Sequence, residues 1–329
     1  MNAATENAKI PGLHVSGDGF RAEIALQGAT LLNWQPVMPD GTALQSIVDG
    51  YATPEELQSQ NGVRNGILAP FTNRIPEGRF EFTHRHHSIR PVLDHEALVF
   101  HGFARALPFT LIRSSTEDKA SVLMLRADIS PTDFAGYPYA LTIEVEYRLH
   151  RYHVDIDVRG INNGPAPLPF AAGWHPYFCL PGVTSIDTLE LTIPSRTVVA
   201  TDERLIPLQN SDGHIVKRDD PSFLTAAMLE NHVLDQCFTD LRASANGRYE
   251  TRLDDRQSGS SLTVWQERGL MHVFTGDTLA RDRRKSIALE PVEVPTNAFN
   301  LPELTEAITL QPGQTRSFKF GFRFEAGHR

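Results

Sequence analysis

The sequence predicts an all-β protein, a large antiparallel sandwich. Apolar and polar residues alternate strictly over several segments, 22 Pro and 23 Gly punctuate the 329 residues, and no helical segments alternate with the strands as a βαβ fold requires. Residues 142–149 put Ile143, Val145, Tyr147 and Leu149 on one face. Residues 153–159 repeat the pattern with Val154, Ile156 and Val158, and the polar link His150-Arg151-Tyr152 joins the two as an antiparallel hairpin. Near the C-terminus Phe318, Phe320, Phe322 and Phe324 alternate with Lys319, Gly321 and Arg323, which makes an aromatic-faced strand. Further strands are expected over residues 20–26, 79–82, 121–129, 189–193, 261–266 and 272–275. Helical signals are few: residues 54–57 and 224–229 are each expected to give a turn or two.

No linker rich in Gly, Ser or Pro and no block of like charge marks a boundary. Residues 1–329 therefore read as one domain, with residues 1–10 a loose N-terminal tail. The net charge of -9 and the pI near 5.8 argue against a nucleic acid or an anionic membrane as partner. No run approaches the ~18–20 apolar residues of a membrane span. The N-terminus lacks a basic start followed by an apolar stretch, so it does not read as a signal peptide. Two cysteines, Cys179 and Cys237, are no disulfide framework for a chain of this length. A cytoplasmic enzyme with reduced thiols, monomer or homodimer, is the expectation.

Several segments carry chemistry. Glu290, before Pro291 and after the apolar Ile287-Ala288-Leu289, is a carboxylate at the end of a buried strand; burial would raise its pKa and suit it to general-base work, although an acid before a proline also simply ends a strand. In Gly173-Trp174-His175-Pro176-Tyr177-Phe178, Pro176 biases His175 toward extended geometry, and the flanking aromatics are either faces on which a sugar ring stacks or a packed turn. His101, followed by Gly102, allows close backbone approach. Arg74, in Asn73-Arg74-Ile75, can fork hydrogen bonds to hydroxyls or stand solvated in a turn. Asp235 lies inside an apolar run and needs partners. His84, His86, His87 and His95 lack the spacing of a zinc site, and glycine-rich phosphate loops are absent, so neither a metal nor a nucleotide cofactor is expected. The basic run from Arg281 to Lys285 reads as a solvated loop.

The order of these motifs is itself informative. Asn73-Arg74-Ile75 with Gly78 and Phe80, His101-Gly102, His175-Pro176-Tyr177-Phe178, Leu234-Asp235 with Phe238, Phe274-Thr275-Gly276-Asp277, and Glu290-Pro291 with Pro295, Ala298 and Asn300 together resemble the aldose 1-epimerase (galactose mutarotase) family. The resemblance runs from about Gly28 to the last strand. It implies a galactose mutarotase-like supersandwich that binds a small sugar, an aldohexose such as galactose or glucose, without a cofactor. It also implies Glu290 as the base for the anomeric hydroxyl and His175 as the acid toward the ring oxygen, on opposite sides of the ring. His101, Arg74 and Asp235 would hold the sugar hydroxyls, and Asn73 would shape the arginine loop. The chain departs from the family pattern at Asn297, where many members carry Asp, at Phe103, where a second Gly is common, and in the His-rich stretch after Phe82.

Three other readings compete. A hexose-6-phosphate 1-epimerase would add Arg105 or the Arg281–Lys285 run as a phosphate site. A glycoside hydrolase would pair Glu290 with Asp235 across the anomeric carbon. A non-catalytic sugar-binding protein would need the aromatics and Arg74 but no acid–base couple.

Overall fold

The computed structural model describes residues 9–327; most of the expected N-terminal tail, residues 1–8, lies outside the described residues. Two antiparallel sheets dominate. The larger has nine strands, running edge to edge through Ala227–Met228, Glu190–Thr192, Tyr249–Asp254, Ser261–Gln266, Thr315–Glu325, His153–Asn162, Leu141–Leu149, Ala120–Ile129 and Thr110–Glu117. The second runs through Lys217–Asp219, Thr197–Val199, Asp235–Thr239, Leu270–Phe274, Ile287–Val292, Gly173–His175 and Gly66–Leu68, with Tyr177–Phe178 also paired to Ile287–Val292.

The alternation read in the sequence builds the interface between the sheets. Phe318, Phe320, Phe322 and Phe324 are all buried, and so are Val154, Ile156 and Val158 from the neighbouring strand. Ile143, Val145, Tyr147 and Leu149 extend the same surface, and the expected hairpin pairs Val154 with Leu149. The second sheet answers with Trp174, Phe178, Phe238, Met271, Val273, Ile287 and Leu289, which belong to the same core cluster. Trp174 stacks 5.7 Å from Phe320, Phe178 lies 5.3 Å from Phe322, and Trp34 meets Phe322 edge-on at 5.2 Å.

Two sequence expectations need correction. Residues 224–229 form no helix: a turn leads into the short strand Ala227–Met228, which pairs with Glu190 and Leu191. That segment forms the edge of the large sheet, and the pairing outweighs the helical propensity of its Leu, Ala and Met residues. Trp174 and Phe178 are not platforms for a sugar ring. Both point into the core, because His175 takes the opposite face and the chain breaks at Pro176. Pro54–Ser59 is the expected helix, capped by Thr53, whose side chain accepts from the Glu56 amide.

Phe322 touches three aromatic partners at the centre of this interface, whereas its neighbour Arg323 is half exposed. Phe322→Ala is therefore expected to cost about 3–5 kcal/mol in denaturant unfolding. Arg323→Ala should stay within about 0.5 kcal/mol. Equal effects would contradict the assignment of the two faces.

Candidate active site

The face of the second sheet turned away from the core carries a row of ionisable side chains. Asp235, His272, Glu290 and His175 come from four strands that are consecutive neighbours in the sheet. Each alternates with a core residue: Trp174 precedes His175, Leu289 precedes Glu290, and Met271 and Val273 flank His272. His272 is registered directly opposite Glu290 and opposite Cys237, so Asp235, two residues before Cys237, is its diagonal neighbour. His272 Nε2 lies 2.8 Å from Asp235 Oδ1, and His175 Nε2 lies 3.3 Å from Glu290 Oε1. The His101 ring meets His175 edge-on with centroids 5.2 Å apart.

Backbone devices fix this row. Pro176 divides Gly173–His175 from Tyr177–Phe178, and the buried Asn65 bridges the break. Its amide donates to the His175 carbonyl at 2.9 Å, and its Oδ1 accepts from the Tyr177 amide at 2.9 Å. His101 adopts a left-handed φ of 60° beside Gly102, whose own φ is +66°; a Cβ on Gly102 would meet the Ala69 carbonyl oxygen at 2.2 Å. Asn73 donates no group to the row but shapes its rim. Its carbonyl accepts from the His101 amide, and its Oδ1 accepts from the Arg74 amide at 2.9 Å and from the Arg74 guanidinium at 3.3 Å.

Loops wall the row into a cavity of about 490 Å³. Glu290, His175, Arg74, His101, Asp235 and Asn73 all line it, so the six residues singled out in the sequence converge on one site. His272 lines it too. Sequence reasoning missed His272 and Asn65, because a histidine between Met271 and Val273 and an asparagine in a buried loop look like core polar residues. The placement of His272 opposite Glu290 and of Asn65 beside His175 is invisible without pairing. Of the aromatics near His175, only Tyr177 reaches the cavity, with Phe100 and Phe274 from elsewhere.

The basic residues offered for a phosphate are otherwise engaged. Arg105 is fully buried and does not line the cavity; it is ion-paired to Glu96 at 2.6 Å and lies over the Phe100 ring, although its Nε and Nη1 have no partner among the described residues. Arg281 is no solvated residue: it reaches Glu56 at 2.6 Å and Asp49 at 3.3 Å and donates to the Gly50 carbonyl at 2.7 Å. Arg284 binds Asp187 and Asp277. Asp49 also receives the buried Arg64, which lies over the Tyr177 ring. Among the expected non-ligand histidines, His87 stacks on Phe80 and His95 reaches the Ser59 carbonyl. Cys179 and Cys237 are buried free thiols.

Burial dominates the electrostatics. It pushes the Glu290 carboxyl up to about 8, with the His272 imidazolium pulling the other way. It also drives His175 down to about 3, reinforced by the positive charge on His272, and holds His101 well below the ordinary imidazole range. For His272 burial works in the same sense, but the carboxylates of Glu290 and Asp235 outweigh it and hold the ring well above the usual value. Asp235 is raised by desolvation yet ends below its ordinary value, because His272 binds it. Glu290 Oε2, His175 Nδ1 and His101 Nδ1 are buried without a hydrogen-bond partner among the described residues. Orphaned polar atoms around a cavity are the mark of a site built for a polar ligand.

A model of the aldose 1-epimerase family matches residues 13–323. The chain belongs to that family. The uncharacterized protein YihR of Escherichia coli is 26% identical over 236 residues, 71% of each chain. Among solved structures, the GalM/aldose epimerase homologue from C. elegans is 18% identical with a TM-score of 0.79, covering 97% of this chain and 99% of that one. The galactose 1-epimerase from Lactobacillus acidophilus is 16% identical with a TM-score of 0.76, covering 99% and 98%. At these identities the structural likeness speaks for the fold, and this family member shares the galactose mutarotase-like architecture.

The raised Glu290 carboxyl has a signed consequence for stability. A group whose folded value, about 8, exceeds its ordinary value, 4.5, favours the folded state fully below 4.5 and loses that contribution as pH rises to about 8. Glu290→Gln removes the titration. The melting temperature of the variant should gain on the wild type between about pH 5 and pH 8 and then run parallel to it. A gap independent of pH would mean that Glu290 titrates normally.

Proposed function

We propose that the protein is an aldose 1-epimerase that interconverts the α and β anomers of a free aldohexose. The observation that carries the reading is the contact between Glu290 and His175 inside a cavity rimmed by Arg74, His101 and Asp235. Ring opening removes the proton on O1 and delivers one to O5. Both oxygens are bonded to C1, so an acid and a base side by side suit the reaction better than groups on opposite faces of the ring, the arrangement expected from the resemblance.

In the opening step ionised Glu290 takes the O1 proton, the C1–O5 bond breaks, and protonated His175 gives its proton to O5. The products are the open-chain aldehyde, neutral Glu290 and neutral His175. Rotation about C1–C2 exposes the other face of the carbonyl. In closure O5 attacks C1, His175 takes the O5 proton, and Glu290 returns its proton to O1. The couple carries one proton throughout, and burial favours the neutral distribution in the empty site. Arg74 and His101 would anchor hydroxyls and polarise O1, and Asp235 would accept from a hydroxyl at its open side.

Other observations support a free sugar as substrate. Arg281 and Arg284 are committed to acids of the chain, and Arg105 is fully buried outside the cavity lining, which leaves them poorly suited to a phosphate. Asp235 is hydrogen-bonded to His272, and Glu290 contacts a histidine on its other side, an arrangement less suited to a hydrolase carboxylate pair. A binding protein has no use for a buried carboxylate in contact with an imidazole.

Polarimetry of freshly dissolved α-D-glucose and α-D-galactose tests the reading. Wild-type protein should accelerate mutarotation, and Glu290→Gln should lose ~10²–10⁴-fold while still binding the sugar. Sugar binding by wild-type protein with no gain over the buffer rate would leave a binding protein instead. The one-proton couple also predicts the pH profile. After subtraction of spontaneous mutarotation, kcat/KM should fall as pH rises through about 8, where the couple loses its proton. A rate that climbs through that range and levels off would indicate a lone base in place of the couple.

A further inference from the structure

His272 has no role in the proton transfers just described, yet it occupies the centre of the row. It is buried, it lies directly across from Glu290 on the adjacent strand, and Asp235 holds its Nε2 at 2.8 Å. Directly opposed residues of an antiparallel pair have Cβ atoms about 4.5–5.5 Å apart, so the imidazole and the Glu290 carboxyl face each other across a single strand gap. We propose that His272 is a positioning residue of the epimerase: Asp235 keeps it an imidazolium, and that fixed positive charge stabilises Glu290 in the ionised form that ring opening requires.

This inference rests on the function proposed above and extends it to a residue that touches neither reacting proton. The charges alternate across the four strands. Asp235 is the anion, and its side chain is 36% exposed against 8% for His272, so hydration helps to keep it ionised at the open end of the row. His272 is the cation, Glu290 the second anion in the opening step, and His175 the proton donor. A cation next to Glu290 and one strand farther from His175 favours transfer of the couple's proton toward His175, since the nearer interaction is the stronger. The other groups facing Glu290 are Arg74, which also favours its ionised form, Asp235, which opposes it, and the neutral Tyr177 hydroxyl. Those facing His272 are Glu290, Asp235, the neighbouring Cys237 and the His175 and His101 rings, whose charged forms it disfavours. Asp235 thus serves His272 as well as any sugar hydroxyl, and its loss would disturb both.

The test uses His272→Gln, which retains an amide donor for Asp235 and removes the charge. Loss of an opposite charge within ~4–6 Å shifts a carboxyl by roughly 1–3 units. The alkaline limb of kcat/KM should therefore move upward by about one pH unit or more, with a lower kcat near neutrality. A fall in kcat with the limb unmoved would reduce His272 to packing and overturn the proposal. Two measurements do not depend on catalysis, and the first needs no variant. The ring nitrogens of His272 in wild-type protein, followed by nitrogen NMR, should both stay protonated from pH 6 to 8. A neutral ring in that range would also overturn the proposal. The Glu290 side-chain carboxyl, followed by carbon NMR, should titrate higher in His272→Gln than in wild type. If wild-type protein proved inactive on every aldose while these shifts appeared, the proposed function would fail and the charge coupling would stand.

Discussion

The constraint on which the site depends is the antiparallel register between Leu270–Phe274 and Ile287–Val292. Side chains in a strand alternate between faces, so a slip of one residue would turn Glu290 into the core and Leu289 into the cavity. The register is enforced from the other side of the sheet. Leu289, Met271, Val273 and Trp174 can be buried only in the observed phase, and Trp174 is seated against Phe320 and Phe322 of the large sheet. The hydrophobic energy of the sandwich thereby dictates which polar side chains meet on the opposite face. Core and site are the two faces of one pairing.

The second determinant is what covers that face. A solvated row of Asp, His, Glu and His would keep near-ordinary acidities; desolvation moves Glu290 and His175, and the charge pairing that burial strengthens moves His272 and Asp235. The cover comes from segments far apart in sequence, tied by Asp49 between Arg64 and Arg281 and by Glu96 against Arg105. Buried ion pairs of this kind add little net stability, because desolvation consumes most of their attraction. Here they specify loop position, and through it the dryness of the cavity floor.

Much of this was legible in the sequence. The phenylalanine alternation from Phe318 to Phe324 and the hairpin built on Ile143 and Val154 can be buried in only one way, so fold class follows from pattern alone. Glu290, His175, Arg74, His101 and Asp235 stand out because a polar residue inside an apolar or Gly/Pro-framed stretch needs an explanation. What escaped was information about pairing. Trp174 and His175 are adjacent, and only the partner strands decide which of them faces inward. Arg281 looked solvated because Asp49 and Glu56, two of its acids, lie more than two hundred residues away in the chain. His272 looked like a core histidine for the same reason: nothing local to Met271-His272-Val273 reports that Glu290 stands opposite.

Because each group of the row stands on its own hydrogen-bonded strand, the sheet acts as a ruler. Neighbouring strands lie about 4.7–4.9 Å apart whatever the loops that connect them. The spacing from Asp235 to His272 to Glu290 to His175 is thus a property of backbone pairing, insulated from the length and sequence of the connections. Those connections supply Arg74, His101 and the walls of the cavity. On the proposed function, proton chemistry and sugar preference reside in separately adjustable parts, and a lineage could exchange its sugar by remodelling loops without moving the proton.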